Sequence, residues 1–523
     1  MALFPPAHRM TRDREHRAFR SAAVVSAFGY AAQALSLAAI PLFLGTLGAE
    51  GYGLMVTVMA FMGYLGFADA GLSWGSMILI AQAHGREGKA EIAHIIRHSA
   101  VLAVGSGMIV ALVLGGIFLA SAAGWRLPMF AGHREADGLV LIAGVQLALT
   151  LQFSVFHNLF HGLQEGYWAG MYQGLGRVVG LTGAMLAAWL TRDVATVMLV
   201  QLVATAATGA AAAWQVRRRH PWAFTAGSWT DRAQYRAQLR IGAKNFLLQI
   251  GRTLSGTAPT LAISSILGPA VVPLYTVPLT LLTMFFTPIN SWNASMQSAY
   301  GEAWISGARD WVRGAFRQSL ERALLLGGLG VALFLALGDA FVRLWTHDRL
   351  WVDPGTSVSV SVIVVMGALL AAGQFLLTGL NRHRQAAIAE IANGLLALVL
   401  VVLAVRWFGL AGVGGGVAVA ALATSGWVLR REISAQLGSG CFPASQFLFK
   451  VCLVVAVGAA AAMMLGAVAG NGGARGGALR LILGGGLGLA GFFAAALALK
   501  LIATTDAVAF LRRLKLGFDT PSL

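Results

Sequence analysis

The sequence predicts an all-α polytopic membrane protein of about fourteen transmembrane helices, and three observations predict it. Of 523 residues, 57% are hydrophobic and only 11% charged, where a soluble domain carries about 25% charged residues. Mean hydropathy is +0.72. The apolar residues also gather into runs of the length that a ~30 Å hydrocarbon core demands, about 20 residues per helix. Fourteen such runs can be read, at roughly 21–46, 53–81, 99–123, 138–161, 167–190, 194–216, 240–266, 270–297, 319–341, 357–380, 386–405, 411–430, 446–469 and 478–501.

Each run has its own justification. The first is too long for a signal-peptide core and is followed by no small-residue cleavage site, so a retained helix is expected. The second carries Asp69 in FADAGL, with Ser73 and Ser76 on a similar face. The third and fourth are apolar, the fourth ending in HGLQEG (His161 to Gly166). The fifth places Gln173 and Arg177 one turn apart, and the sixth runs into a basic loop, 217–239. In the seventh, Asn245, Gln249 and Arg252 follow i, i+4, i+7 spacing and share one face; Gly256 continues that face, Thr260 lies near its edge and Lys244 flanks it. The eighth holds Thr276, Thr280, Thr283, Thr287, Asn290 and Gln297, interrupted by Pro278 and Pro288. This is either a bending, lumen-facing helix, with Thr280, Thr283, Thr287 and Asn290 on the open side, or hydroxyl glue between helices. The tenth ends in TGLNRH (Thr378 to His383), and the eleventh carries Glu390, expected to pair locally with Arg382 or Arg384. Gly409 to Gly416 and Gly484 to Gly491 are glycine-rich stretches that allow helices to approach closely. Neither suits a phosphate-cradling loop, since no strand precedes them and no lysine-serine or lysine-threonine pair follows.

The net charge of +17 is distributed as topology rather than as a nucleic-acid footprint. With the N-terminus inside, 27 Lys and Arg fall in cytoplasmic segments and 8 outside. That is the positive-inside bias, and it puts both termini in the cytoplasm. A basic face of this kind also suits anionic membrane lipids; no basic-aromatic module for nucleic acid is present. The 2 cysteines, Cys441 and Cys452, are not placed for a structural disulfide, and no Cys/His spacing suggests a metal site or a cofactor. Loops are too short to hide a soluble catalytic domain, so no enzyme is expected.

The chain repeats itself. LGAEGYGL from Leu47 and LGPAVVPL from Leu267 each close an outside loop and open a span, and HGLQEG and TGLNRH each end one further on at nearly the same offset. Six helices separate the equivalent positions, so the halves share one orientation: parallel repeats about an axis along the membrane normal, with a V-shaped central cavity between them. The expected organisation is a basic tail (1–20), an N-terminal six-helix bundle (21–216), a cytoplasmic linker (217–239), a C-terminal six-helix bundle (240–432), two further helices (433–505) and a tail (506–523).

Three fixed charges, Arg177, Lys244 and Arg252, fall inside the apolar runs. A charge at the centre of a span costs at least ~2.5–3.5 kcal/mol, so such residues mark function by default. The pattern points to an anionic substrate held in a water-filled cavity, with Gln173, Asn245 and Gln249 alongside. The competing accounts are that Lys244 snorkels to the headgroups and Arg252 pairs with a buried acid. Asp69 either neutralises Arg177 or Arg252 or binds a coupling proton or Na⁺.

PLFLGTLGAEGYGL with LGFADAGL, GLQEGYWAGMYQGLGRVVGL, LGPAVVPLYTVPLTLL, GLNRHRQAAIAEIANGLLALVL and RWFGLAGVGGG resemble segments of the polysaccharide flippases of the multidrug/oligosaccharidyl-lipid/polysaccharide exporter superfamily. The resemblance implies a carrier in a bacterial cytoplasmic membrane. It would move undecaprenyl-pyrophosphate-linked oligosaccharide to the outer leaflet by alternating access and work beside glycosyltransferases and a polysaccharide polymerase. The family's cationic lumen matches Arg177, Lys244 and Arg252 by location. The alternatives are a lipid II flippase, a multidrug antiporter of the same superfamily, which the basic balance disfavours, and a membrane glycan polymerase, for which the outside loops are too short.

Overall fold

The computed structural model describes residues 7–86, 88–130, 132–224, 232–443, 445–468 and 473–499. The C-terminal tail 506–523 and the middle of the linker lie outside them. Every long element is a helix: α1 (Ala7–Leu65), α2 (Leu72–Gly85), α3 (Lys89–Ala122), α4 (Ala136–Gly162), α5 (Gly166–Thr191), α6 (Val194–Arg219), α7 (Arg232–Leu267), α8 (Val272–Ile305), α9 (Arg309–Thr346), α10 (Pro354–Gly379), α11 (His383–Ala421), α12 (Trp427–Leu437), α13 (Ser445–Val468) and α14 (Gly473–Ala498). Among the described residues ten helices are long and apolar enough to cross a bilayer, against fourteen apolar runs in the sequence. Two of the ten, Ala27–Asp69 and Arg384–Leu437, have 43 and 54 residues, about twice what one crossing needs. The protein is a multi-pass membrane protein. Leu112, Leu119, Trp189 and Leu190, each more than 60% exposed, are side chains that hydrocarbon rather than water would cover.

The two long helices break where backbone demands it. α1 turns at Gly48 (φ 75°, ψ 174°) and α11 at Gly409 (φ 60°, ψ −144°), conformations open to glycine and strained for other residues. The run 53–81, expected as one span, is in fact two helices. α1 stops at Leu65, a 3₁₀ turn covers Gly66–Asp69, Ala70 and Gly71 take left-handed conformations, and α2 begins. Gly71 has no substitute here, because a Cβ would lie 2.3 Å from the Gly242 carbonyl oxygen of α7.

The internal repeat is visible in the backbone. Gly48 and Gly268 (φ 90°, ψ 160°) share a conformation 220 positions apart. α4 and α10 end alike. Leu163 and Leu380 each donate to the carbonyl four residues back at 2.9 Å, Gln164 and Asn381 both adopt φ near 60°, and the next N–H reaches five residues back, Glu165 to Phe160 (2.8 Å) and Arg382 to Leu377 (2.7 Å). This pattern is a Schellman-type close, in which the left-handed residue lets orphan carbonyls find donors.

The chain divides into two compact units. The first is Met1–Pro273 with Glu390–Val402. Its core joins α2 to α6 through Ile80, Ile95, Leu159, Phe160 and Val216. Its α6 is capped by Asp193, whose carboxylate accepts from the N–H groups of Ala195 (3.3 Å) and Thr196 (2.8 Å). The second is Leu274–Ala389 with Leu403–Leu523. There α9, α13 and α14 pack through Leu337, Val454, Ala462 and Phe492. The glycine-rich second half of α14 allows this, since a Cβ on Gly488 would meet Ala462 Cβ at 2.9 Å. Gly414 likewise lies against the Ser359 backbone of α10 and donates its N–H to Ser359 Oγ at 2.6 Å.

Candidate functional site

A cavity of about 550 Å³ lies inside the first unit, walled mainly by α4, α5 and α6. Each helix presents a polar stripe at helical spacing. α4 supplies Gln146, Thr150, Ser154 and His157, α5 supplies Gln173 and Arg177, and α6 supplies Gln201, Thr205 and Thr208. Glycines keep the helices close and the space open. Gly176 and Gly209 line the cavity, and a Cβ on Gly176 would touch Thr208 Oγ1 at 2.7 Å. Arg177 is the one charged side chain among the described lining residues other than the histidine. It stands eleven residues into the 26-residue α5, roughly 16 Å from the helix start, near mid-membrane. It is exposed to the cavity and forms no ion pair among the described residues.

The cavity holds unmet hydrogen-bonding capacity. Gln146 Nε2 donates to Thr205 Oγ1 at 3.1 Å, but Gln146 Oε1, His157 Nε2 and Asn158 Nδ2 are buried without a partner among the described residues. Orphaned polar atoms in an apolar bundle are costly unless water or a ligand reaches them. Amides, hydroxyls and one guanidinium make a surface suited to a polyhydroxylated anion, and among the described residues no carboxylate lines it to hold a cation.

Asp69, the candidate for neutralising Arg177 or Arg252 or for binding a coupling ion, ends the 3₁₀ turn between α1 and α2. Among the described residues it makes no ion pair. Its Oδ1 accepts from Ser73 Oγ at 2.7 Å, and Ser73 Oγ lies 3.0 Å from Ser154 Oγ on the cavity wall. The acid in the helix break is therefore tied to the cavity through two hydroxyls.

The sequence matches the family described as "Polysaccharide biosynthesis protein" over residues 18–295, more than half of its length. The chain belongs to the polysaccharide biosynthesis protein family. No curated protein matches it significantly. Solved structures similar to this family member include the lipid II flippase MurJ in an inward closed conformation (11% identity, covering 89% of this chain and 97% of that one, TM-score 0.66). They also include an inward-facing multidrug resistance MATE family transporter of the MOP superfamily (20% identity, 77% and 95%, TM-score 0.63). A MOP superfamily transporter from Pyrococcus furiosus described as having a binding pocket of reverse polarity is a third (19% identity, 81% and 96%, TM-score 0.55). At these identities the likeness is one of fold.

The other sequence-predicted residues of this polysaccharide biosynthesis protein distribute unevenly. Arg252 and Gln249 are exposed on α7, and Gly256 beside them faces open space. Arg252 interacts electrostatically with Glu390 of α11. Glu390 is 3% exposed, and α11 packs so tightly there that a Cβ on Gly251 would meet Glu390 Cβ at 2.5 Å. Lys244 and Asn245 sit in the first half of α7, with side chains outside the described residues. Thr260 is buried. In the second unit Thr283 and Asn290 are exposed on α8, while the hydroxyls of Thr280, Thr283 and Thr287 bond carbonyls of their own helix at 2.8, 2.8 and 3.2 Å.

Gln146, His157, Asn158, Gln201, Thr205 and Thr208 were not singled out from sequence. Their spacing carries a signal, Gln146-Thr150-Ser154-His157 and Gln201-Thr205-Thr208, but only the meeting of α4, α5 and α6 makes the two stripes one surface.

Proposed function

We propose that this protein is a flippase for polyprenyl-pyrophosphate-linked oligosaccharide, carrying it from the cytoplasmic to the outer leaflet of a bacterial cytoplasmic membrane by alternating access, with both termini in the cytoplasm. The observation that carries the reading is Arg177, an arginine without an ion-pair partner among the described residues, facing an open cavity into which three helices turn amides and hydroxyls. A guanidinium bonds two phosphate oxygens at once, which suits a pyrophosphate. The amides and hydroxyls around it offer donors and acceptors to sugar hydroxyls, and their orphaned atoms gain partners when a glycan enters. Arg252, with Gln249, Lys244 and Asn245 along α7, forms the second part of the anion site. The polyprenyl tail stays in lipid throughout. Family membership and the flippase named among the structural neighbours both favour a lipid-linked substrate over a drug. The absence of carboxylates from the described cavity lining gives a cationic drug nothing to pair with.

In cells that depend on this chain for glycan export, Arg177→Ala and Arg252→Ala are expected to abolish export of glycan per inserted protein, measured against the amount of each variant in the membrane. Full export with both changed overturns the anion-site assignment. The same cells separate the nearest rival. If the parent chain also supports growth of cells deprived of their lipid II flippase, the substrate includes the peptidoglycan precursor; if it does not, exported glycan is the cargo.

A further inference from the structure

The second unit contains a cavity of a different kind. It is a crevice of about 210 Å³ between α9, α10 and α12, with walls from Phe316, Leu320, Leu370 and Ile433. Two features hold it open. Gly373 and Gly426 line it without side chains, and α12 is preceded by a five-residue π-helical turn, Leu422–Gly426, which widens the helix along the crevice wall. Leu422 and Leu448, 62% and 42% exposed, form its outer lips, so it opens on the protein's surface. Its loop end is closed by Phe442 edge-on to Phe316, centroids 6.0 Å apart, and by Arg313, which donates to the Leu437 carbonyl at 2.6 Å while pairing with Asp310 at 2.8 Å.

One charged side chain lines this crevice among the described residues: Arg430, exposed, one turn beyond Gly426. Other arginines of α9 and α12 are occupied. Arg313 holds Asp310, Arg317 holds Glu321 at 2.8 Å, and Arg431 lies over the Trp427 ring at 5.5 Å. Arg430 makes no ion pair and no ring contact among the described residues.

We propose that this crevice binds an anionic phospholipid of the surrounding bilayer, its acyl chain in the apolar cleft and its phosphate on Arg430. Water has no role in the cleft, since it needs two to four polar partners that the walls lack. A dry void would forfeit the dispersion contacts of its lining. A lipid chain fills it at no solvation cost, because hydrocarbon is as apolar as leucine. The chain therefore supplies occupancy and the guanidinium supplies selectivity: a phosphate with no countercharge on its own headgroup gains about fivefold over a zwitterionic one, the worth of one arginine at a membrane surface. The polar cavity containing Arg177 is built from first-unit helices, so this site is independent of the transport reading.

The test uses the full chain in nanodiscs doped with phosphatidylglycerol or phosphatidylcholine carrying a photoactivatable group in the acyl chain, and reads cross-links on peptides spanning 316–324, 366–373 and 422–433. Phosphatidylglycerol is expected to label these peptides about fivefold more than phosphatidylcholine. Arg430→Gln is expected to bring the two to equal yield, Arg430→Lys to keep most of the difference, and Arg431→Gln to change nothing. Equal labelling by the two lipids in the parent, or an unchanged ratio in Arg430→Gln, overturns the proposal. So does loss of the phosphatidylglycerol cross-links on adding equimolar polyprenyl phosphate, which would assign the crevice to the substrate's tail.

Discussion

Arg177 and Arg252 are the same residue type in different electrical surroundings, and the difference is measurable. Arg177 has hydroxyls, amides and open cavity around it, with no carboxylate among the described lining residues. Arg252 is exposed but feels the buried Glu390, one helix away. A buried acid that loses its cation is left charged in a poor solvent, whereas a cation already facing an open space loses less when its acid is removed. Arg252→Ala is therefore expected to destabilise the protein more than Arg177→Ala does, although both should stop export. A double-mutant cycle of Arg252→Ala with Glu390→Gln, read by thermal unfolding in detergent, is expected to return a coupling of about 1 kcal/mol, because each single change removes the same attraction. Additive effects would mean the two charges do not sense one another.

At the scale of the element, helix ends and helix contacts carry the testable energy. Asp193 caps α6, and its carboxyl is held below the usual carboxylate range by hydrogen bonds from the Thr196 hydroxyl and N–H. Asp193→Ala is expected to cost about 1 kcal/mol at pH 7. A depressed carboxyl contributes stability that is present above its unfolded value, about 3.9, and lost as pH falls through the lower folded value. The gap in melting temperature between parent and Asp193→Ala should therefore be constant from pH 7 to 5 and close below about pH 3.9. Gly71 and Gly256 make a second pair. Both are glycines within apolar runs, but a Cβ on Gly71 would strike the Gly242 carbonyl at 2.3 Å in a left-handed conformation, whereas a Cβ on Gly256 meets nothing within 4 Å. Gly71→Ala is expected to lower the melting temperature sharply and Gly256→Ala to raise it slightly, by restricting the unfolded chain. These cases mark how far the sequence could be read. Apolar length and the breaks around Gly48 and Gly409 located the helices. The break at Asp69 was hidden because FADAGL continues an apolar run, and the close passage of the α7 backbone at Gly71 is visible only in the fold. Arg177 and Gln173 were legible because charge is rare in a span. Thr205 and Thr208 were not, because such hydroxyls ordinarily satisfy themselves on their own helix, as both also do here, bonding the carbonyls of Gln201 and Ala204.

For the molecule as a whole, the decisive quantity is the charge that crosses the membrane. The helix ends at Gln164 and Asn381 share one left-handed close, and on the topology proposed above most of the chain's Lys and Arg lie on the cytoplasmic side. If Arg177 and Arg252 are fixed parts of the carrier, they neutralise the pyrophosphate while it is bound but do not leave with it, so the released headgroup carries its full negative charge outward. An inside-negative potential then favours the outer leaflet by ~2.3 kcal/mol per net charge per 100 mV, roughly a fiftyfold change in the equilibrium ratio for a single charge. Proteoliposomes holding the protein and a pyrophosphate-linked glycan, clamped with potassium and valinomycin, should accumulate the glycan in the outer leaflet when the interior is negative and in the inner leaflet when the gradient is reversed. Leaflet asymmetry is read by a glycosidase added outside. A distribution indifferent to the imposed potential would mean that compensating charge travels with each headgroup, and the description of the two arginines as stationary countercharges would have to be given up.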